Sequence, residues 1–264
     1  QSGGGMSLTY SNPTLTDVTF SGNTAGYKGG GMFLFNTSNP NLTGVTFSGN
    51  SAPYGGGMYL DDSSPTLTDV TFDDNMADDD GGGIFINDVS ELIVENTIFS
   101  GNTSNSDGGA IYSNNSNVDI NMCLFYNNTS HWGGAVGIRN AQFNITNCTF
   151  SNNIASTSGG GDAITIFHGG SLEIRNSILW NLHEGPEIDL QVEESESISS
   201  LNINYCLIQN LISGIEDNTE TGNINIGDFN IDSDPLFCDT DNGDFTVRSD
   251  SPVLGAGQDG TDMG

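Results

Sequence analysis

Two short signatures alternate along this chain, a glycine cluster before an apolar pair and a phenylalanine three residues ahead of an asparagine. The first reads GGGMSLTY from Gly3, GGGMFLFN from Gly29, GGGMYLDD from Gly55, GGGIFIND from Gly81, GGAIYSNN from Gly108 and GGAVGIRN from Gly133. The second reads VTFSGN to Asn23 and again to Asn50, VTFDDN to Asn75, TIFSGN to Asn102, CLFYNN to Asn128 and CTFSNN to Asn153. Phe20, Phe47, Phe72, Phe99, Phe125 and Phe150 therefore recur at steps of 27, 25, 27, 26 and 25. Leu179 and Ile208 take the same position after longer steps of 29. A glycine cluster every two dozen residues excludes long helices.

Each unit holds two short strands with period-2 apolar alternation, one after the glycines (Met32, Leu34) and one before the asparagine (Leu42, Val45, Phe47). Turn clusters such as NTSNPN and DDSSPT separate them, and no unit has room for a crossover helix. Units that cannot bury an apolar face alone must stack on their neighbours. The expected fold is all-β, a solenoid of about eight coils of ~26 residues with a narrow apolar interior and ladders of like residues. The glycines permit sharp corners and close backbone approach, and the asparagines point inward to bond the coils above and below. Coils are expected over residues 1–208, with 209–264 forming an irregular or β cap of the same domain.

The net charge of −30, from 34 acidic and 4 basic residues, makes nucleic acid and anionic membrane poor partners. No apolar run approaches the roughly 18 residues of a membrane span, so no membrane insertion is expected. Gln1 is not an initiator methionine, and no signal peptide is visible, as expected of a processed form or a piece of a longer protein.

The GGAI stretch from Gly108 and the F-x-x-N units resemble the repeats of chlamydial polymorphic outer-membrane proteins and, more broadly, the right-handed parallel β-helix of the pectin-lyase-like group. The tail DPLFCDTDNGDFTVRSDSPVLGAG, from Asp234 to Gly257, resembles the closing segment of secreted bacterial β-helix proteins. The resemblance covers about residues 3–208 plus that tail. It implies a right-handed solenoid at the bacterial cell surface or in the extracellular space. For activity it leaves lyase, hydrolase, adhesin and passive stalk open.

Candidate sites follow from the register. Two residues before each phenylalanine position runs an inward column, Val18, Val45, Val70, Thr97, Cys123, Cys148, Ser177 and Cys206. Cys123 and Cys148 fall in neighbouring coils within reach of a disulfide, and Cys206–Cys238 is the other pairing, one that would pin the tail; buried free thiols are the alternative. Asp62 with Asp88, and Asp80 with Asp107, share registers at roughly 5 Å, where like charges invite a cation. Calcium suits such oxygen-only surroundings, with no other cofactor required.

With Met32, Leu34, Met58, Leu60, Ile84, Ile86 and Ile111 inward, Phe33, Tyr59, Phe85 and Tyr112 face out and form a contact strip for a glycan or a protein surface. A turn covering those rings, or an inverted parity, is the competing arrangement. The GGGDAITIFHGG segment resembles the Asp and His motifs of pectin hydrolases and brings Asp162, His168 and Arg139 together as a catalytic alternative, although that family's paired-Asp and Arg-x-Lys signatures are missing. The uncapped first coil is expected to meet further β-helix repeats or another chain at its edge. The chain reads as a structural or adhesion module without catalysis, with a carbohydrate-active enzyme as the alternative.

Overall fold

A computed structural model describes residues 2–88, 90–191, 198–219 and 222–264. Among them, three strand ladders wind through the chain as parallel sheets. Sheet A contains nine strands, from Met6–Thr9 to Ile215–Asp217; sheet B nine, from Thr14–Thr16 to Asn223–Ile226; and sheet C eight, from Thr19–Ser21 to Leu207–Ile208. A narrower sheet D of five two-residue strands runs from Ser51–Ala52 to Ile154–Ala155. Every strand in these sheets pairs with its equivalent one coil away, as Phe47 does with Phe72 and Met58 with Ile84. Sheets A and B each gain a strand beyond residue 208, so the coils run past the boundary expected there and the cap begins later. No helix among the described residues is long and apolar enough to cross a membrane.

The period of about 26 is the length needed to go once round these sheets with a tight corner at each change of direction. Left-handed backbone marks the corners in columns. Asn36, Asp62, Asp88, Asn115, Asn140 and His168 turn sheet A into sheet B at φ of 44° to 52° or 57°. Asp17, Asp69, Asn96, Met122, Asn147 and Asn176 turn B into C. Short polar side chains and glycine tolerate this conformation best. Glycine becomes obligatory before sheet A. There Gly55 sits at φ +64°, and a Cβ on Gly56 would meet the Gly82 carbonyl oxygen of the next coil at 2.5 Å.

The interior is a set of side-chain ladders. Phe20, Phe47, Phe72, Phe99, Phe125 and Phe150 stack with centroids 4.6 to 5.0 Å apart and nearly parallel planes. Each buried ring contributes about 2–3 kcal/mol through apolar area, with stacking adding to it. The asparagines run alongside: Asn75 Oδ1 accepts both the Asn50 backbone N–H and its Nδ2, while Asn75 Nδ2 donates to the Phe47 carbonyl. The pattern repeats through Asn102, Asn128 and Asn153 to Asn181, so these buried amides satisfy one another along the axis.

The cysteines belong to a third ladder of the same kind. Thr97, Cys123, Cys148 and Ser177 each turn their γ hydroxyl or thiol to the carbonyl two residues back, and the γ atoms of Thr97, Cys148 and Ser177 accept the backbone N–H of the coil before. All four cysteines are free thiols. The expected Cys123–Cys148 bridge is not formed although the two are coil neighbours: the column uses sulfur as an oxygen analogue, with Cys148 Sγ 3.4 Å from the Cys123 N. The expected Cys206–Cys238 bridge is not formed either. Cys206 lies in the core, whereas the tail packs on the opposite, outer side of sheet C and carries Cys238 exposed. There Val253 and Met263 close over Ile178 and Leu207, and the Gly264 N–H donates to the Asn176 carbonyl at 2.7 Å.

Candidate functional site

The outer face of sheet A departs most from a plain solenoid surface. The column expected to face outward does so: Phe33, Tyr59, Phe85 and Tyr112 are paired in register and alternate with the core residues. It is not an exposed strip, however. Tyr59, Phe85 and Tyr112 retain only 3%, 7% and 4% of their accessible surface, and Phe33 is half-buried. The turns ahead of the glycine clusters fold back over the rings and bring Lys28, Tyr54, Asp80, Asp107 and Trp132 into a second, stacked column. Lys28 Nζ lies 4.3 Å from the Tyr59 ring centroid and 3.5 Å from Asp61 Oδ2, and Tyr54 packs edge-on against Phe85 at 5.5 Å. The strip is a covered second core rather than an exposed contact surface.

The cover opens where the column loses its rings. Tyr112 pairs with Gly137, and Gly137 with Thr165. A Cβ at Gly137 would meet the Tyr112 ring at 2.9 Å, so the missing side chain lets that ring lean across. Tyr112 is tilted 53° from Phe85, whereas Tyr59 and Phe85 stack within 6°. Beyond it lies a groove of about 450 Å³, floored by Tyr112, Arg139, Phe167 and Gln191 and walled by Asp80, Ser106, Asp107, His131 and Trp132. Trp132 meets Phe167 edge-on at 6.3 Å. Arg139 bonds the Tyr112 hydroxyl, and its charge also acts on Asp80. Burial nevertheless raises the Asp80 carboxyl above its ordinary range, against the Asp107 N–H that donates to it at 3.1 Å. The Tyr112 phenol is displaced upward by burial as well.

The aspartates expected to pair for calcium sit in neighbouring coils. Asp80 and Asp107 do share a register, and Arg139 lines the same groove. Asp62 and Asp88 occupy the left-handed corner between sheets A and B, where their short side chains suit the backbone, and Asp88 accepts a bond from Asn87 Nδ2 at 2.7 Å. Among the described residues no group of three or more His, Cys, Asp or Glu side chains is placed to hold a metal ion.

The catalytic alternative of Asp162, His168 and Arg139 is not assembled. Asp162 precedes the strand Ile164–Phe167 and His168 follows it, which puts ~13 Å of strand between them. Asp162 is instead buried against the next coil. It accepts the Ala155 N–H at 2.8 Å and meets Nδ1 of His183 at 3.1 Å, with burial holding its carboxyl above the usual range. His168 is a corner residue at φ 44°. Only Arg139 of the three lines the groove.

Two further carboxylates escape a reading by motif. Glu187 ends the asparagine ladder, taking the Asn181 N–H at 2.8 Å and Asn181 Nδ2 at 2.5 Å, and its burial pushes its carboxyl to about 8. Asp189 faces outward in the aromatic column but is fully covered, held by Gln191 and Asn218 and raised by burial to about 7. Glu187 lies six residues after Asn181 and one coil after Ala163, in the column that the last glycine or alanine of each cluster fills, so no position in the asparagine repeat marks it.

Parallel ladders, inward phenylalanine and asparagine columns and glycine corners define a parallel β-helix solenoid. Residues 1–123 match the family described as right handed beta helix region, and the same ladders continue through the rest of the solenoid. No curated protein sequence matches the chain.

Proposed function

We propose that this chain is a structural or adhesion module displayed outside the cell, on a bacterial surface or in the extracellular space, and that it holds a glycan in the groove on sheet A without cleaving it. The observation that carries this reading is the groove itself, where the partly exposed Trp132 ring stands beside the polar groups of Asp107, Arg139 and Gln191. Sugars present an apolar ring face and a rim of hydroxyls, and such a mixture matches both. The solenoid around it is a rigid mount, since each coil is tied to the next by continuous backbone and asparagine ladders. The open edge of the first coil, where Met6, Leu8, Leu15 and Val18 are only partly buried, suits docking of further β-helix coils or another chain.

Binding is tested by titrating the chain with a panel of acidic and neutral oligosaccharides in a calorimeter and analysing the same samples for cleavage products. Saturable binding with intact oligosaccharide supports the proposal. Reproducible cleavage that is lost in Asp80→Asn or Asp107→Asn would replace it with a carbohydrate-active enzyme working in the same groove, the one reading that two carboxylates with one of them raised by burial favours.

A further inference from the structure

We propose that the end of the solenoid beyond Trp180 is a clasp held shut at low pH and released as the pH rises, because its buried carboxyl groups are held by amides and a single imidazole. Asp162, Glu187 and Asp189 lie in neighbouring coils and are all buried, Asp189 completely. Glu187 takes the N–H and Nδ2 of Asn181 and faces the carboxyl group of Asp162. Asp189 takes the amides of Gln191 at 2.8 Å and Asn218 at 3.0 Å, and it faces the carboxyl groups of Glu216 and Asp217 on the next coil. Asp162 takes the N–H groups of Ala155 and Gly185 and meets Nδ1 of His183, the group among these partners that can carry a positive charge. No lysine or arginine occurs in the sequence between Arg175 and Arg248, and those two are engaged by Glu173 and Asp250.

A buried carboxyl group held by amides is most stable uncharged. Burial accordingly raises all three, Glu187 to about 8 and Asp189 to about 7. In an opened coil Glu187 and Asp189 return to their ordinary values of 4.5 and 3.8, so the open form loses its protons first. The advantage of the closed form is complete below those ordinary values and is lost as the pH climbs through 7 and 8. For Glu187 alone this multiplies the opening equilibrium about a hundredfold between pH 6 and pH 9. The change is local, because coils of a solenoid touch only their neighbours and an end can open without the rest. The asparagine ladder stops at Glu187, and the tail clamps the sheet C side over Ile178 and Leu207, which leaves the sheet A strands Ile188–Gln191 and Ile215–Asp217 to lift. Gln191 goes with them. Its Nε2 donates to Asp189 and, at 3.1 Å, to the Gly159 carbonyl, and the residue lines the groove, so alkaline opening takes away one wall of that groove.

Hydrogen–deuterium exchange of the whole chain, read by mass spectrometry at about pH 6 and pH 9 and corrected for intrinsic exchange rates, tests the clasp. Peptides containing Ile188–Gln191 and Ile215–Asp217 are compared with peptides containing Met58–Asp61 and Ile84–Asn87. Protection of the end peptides, relative to those earlier coils, should fall by about a hundredfold or more between the two pH values. In the double variant Glu187→Gln with Asp189→Asn, that relative fall should shrink by at least about tenfold. A fall shared equally by all coils, or no fall at all, overturns the proposal, and so does a double variant that keeps the pH dependence of the parent. The profile of the parent decides the first comparison by itself, whatever the stability of the variant.

Discussion

Replacing Glu187 by glutamine should make this protein more stable, and increasingly so as the pH rises. The N–H of Asn181 donates to Oε1 of Glu187 and its Nδ2 to Oε2, so a glutamine at 187 fits by turning its amide until one oxygen takes both donors, as the amide oxygen of Asn75 does for Asn50. What it removes is an ionisable group held at about 8 in the folded chain against an ordinary value of 4.5. Because the folded pKa is raised, the unfolded chain releases its proton first. The contribution of Glu187 is fully present below 4.5, falls as the pH climbs and is exhausted once the pH passes 8. At 1.36 kcal/mol per pH unit the loss is about 3 kcal/mol by neutrality and about 5 kcal/mol above pH 8. Urea unfolding of the parent and Glu187→Gln at about pH 5, 7 and 9 reads this directly: the two midpoints should nearly coincide at the acid end and diverge toward the alkaline end. Asp189 and Asp162, both raised by burial, tilt the two proteins alike and cancel in the difference. A difference between the two that stays constant across the range, or a variant that loses stability at every pH, refutes the argument.

Truncating a covered ring, Tyr59→Ala, should cost about 3–5 kcal/mol of unfolding free energy in denaturant melts, as for a core aromatic; an unchanged midpoint would mean that the turn carrying Lys28 and Tyr54 does not cover the strip. In the native chain a thiol reagent should label Cys238 rapidly and reach Cys123, Cys148 and Cys206 only on unfolding, since burial removes access and pushes the Cys206 thiol to about 12. Fewer than four reactive thiols in denaturant without reductant would reveal a bridge.

The sequence by itself determined the solenoid, the length of its coils and the parity of its strands. Those properties are local and repeated: a strand puts alternate side chains on opposite faces, and a period of about 26 sets like residues above one another, so the columns of Phe72, Asn75 and Cys123 can be read off the chain. Exposure is another matter. Whether Phe85 meets water depends on where the turn at Tyr54 folds, and no periodicity in the strand records that. The same holds for charges. Asp162 meets His183 rather than His168 because the next coil is its neighbour, and Arg139 lines the same groove as Asp80 although 59 positions separate them in the chain. The groove lies past the point where the column of rings ends: at 137 a glycine stands where four coils in succession had placed a ring, the Tyr112 ring leans over it, and the turn carrying His131 and Trp132 walls the space beyond. Ladders follow from chain period, but which surfaces stay open is decided by the corners, whose paths depend on every coil packed beside them.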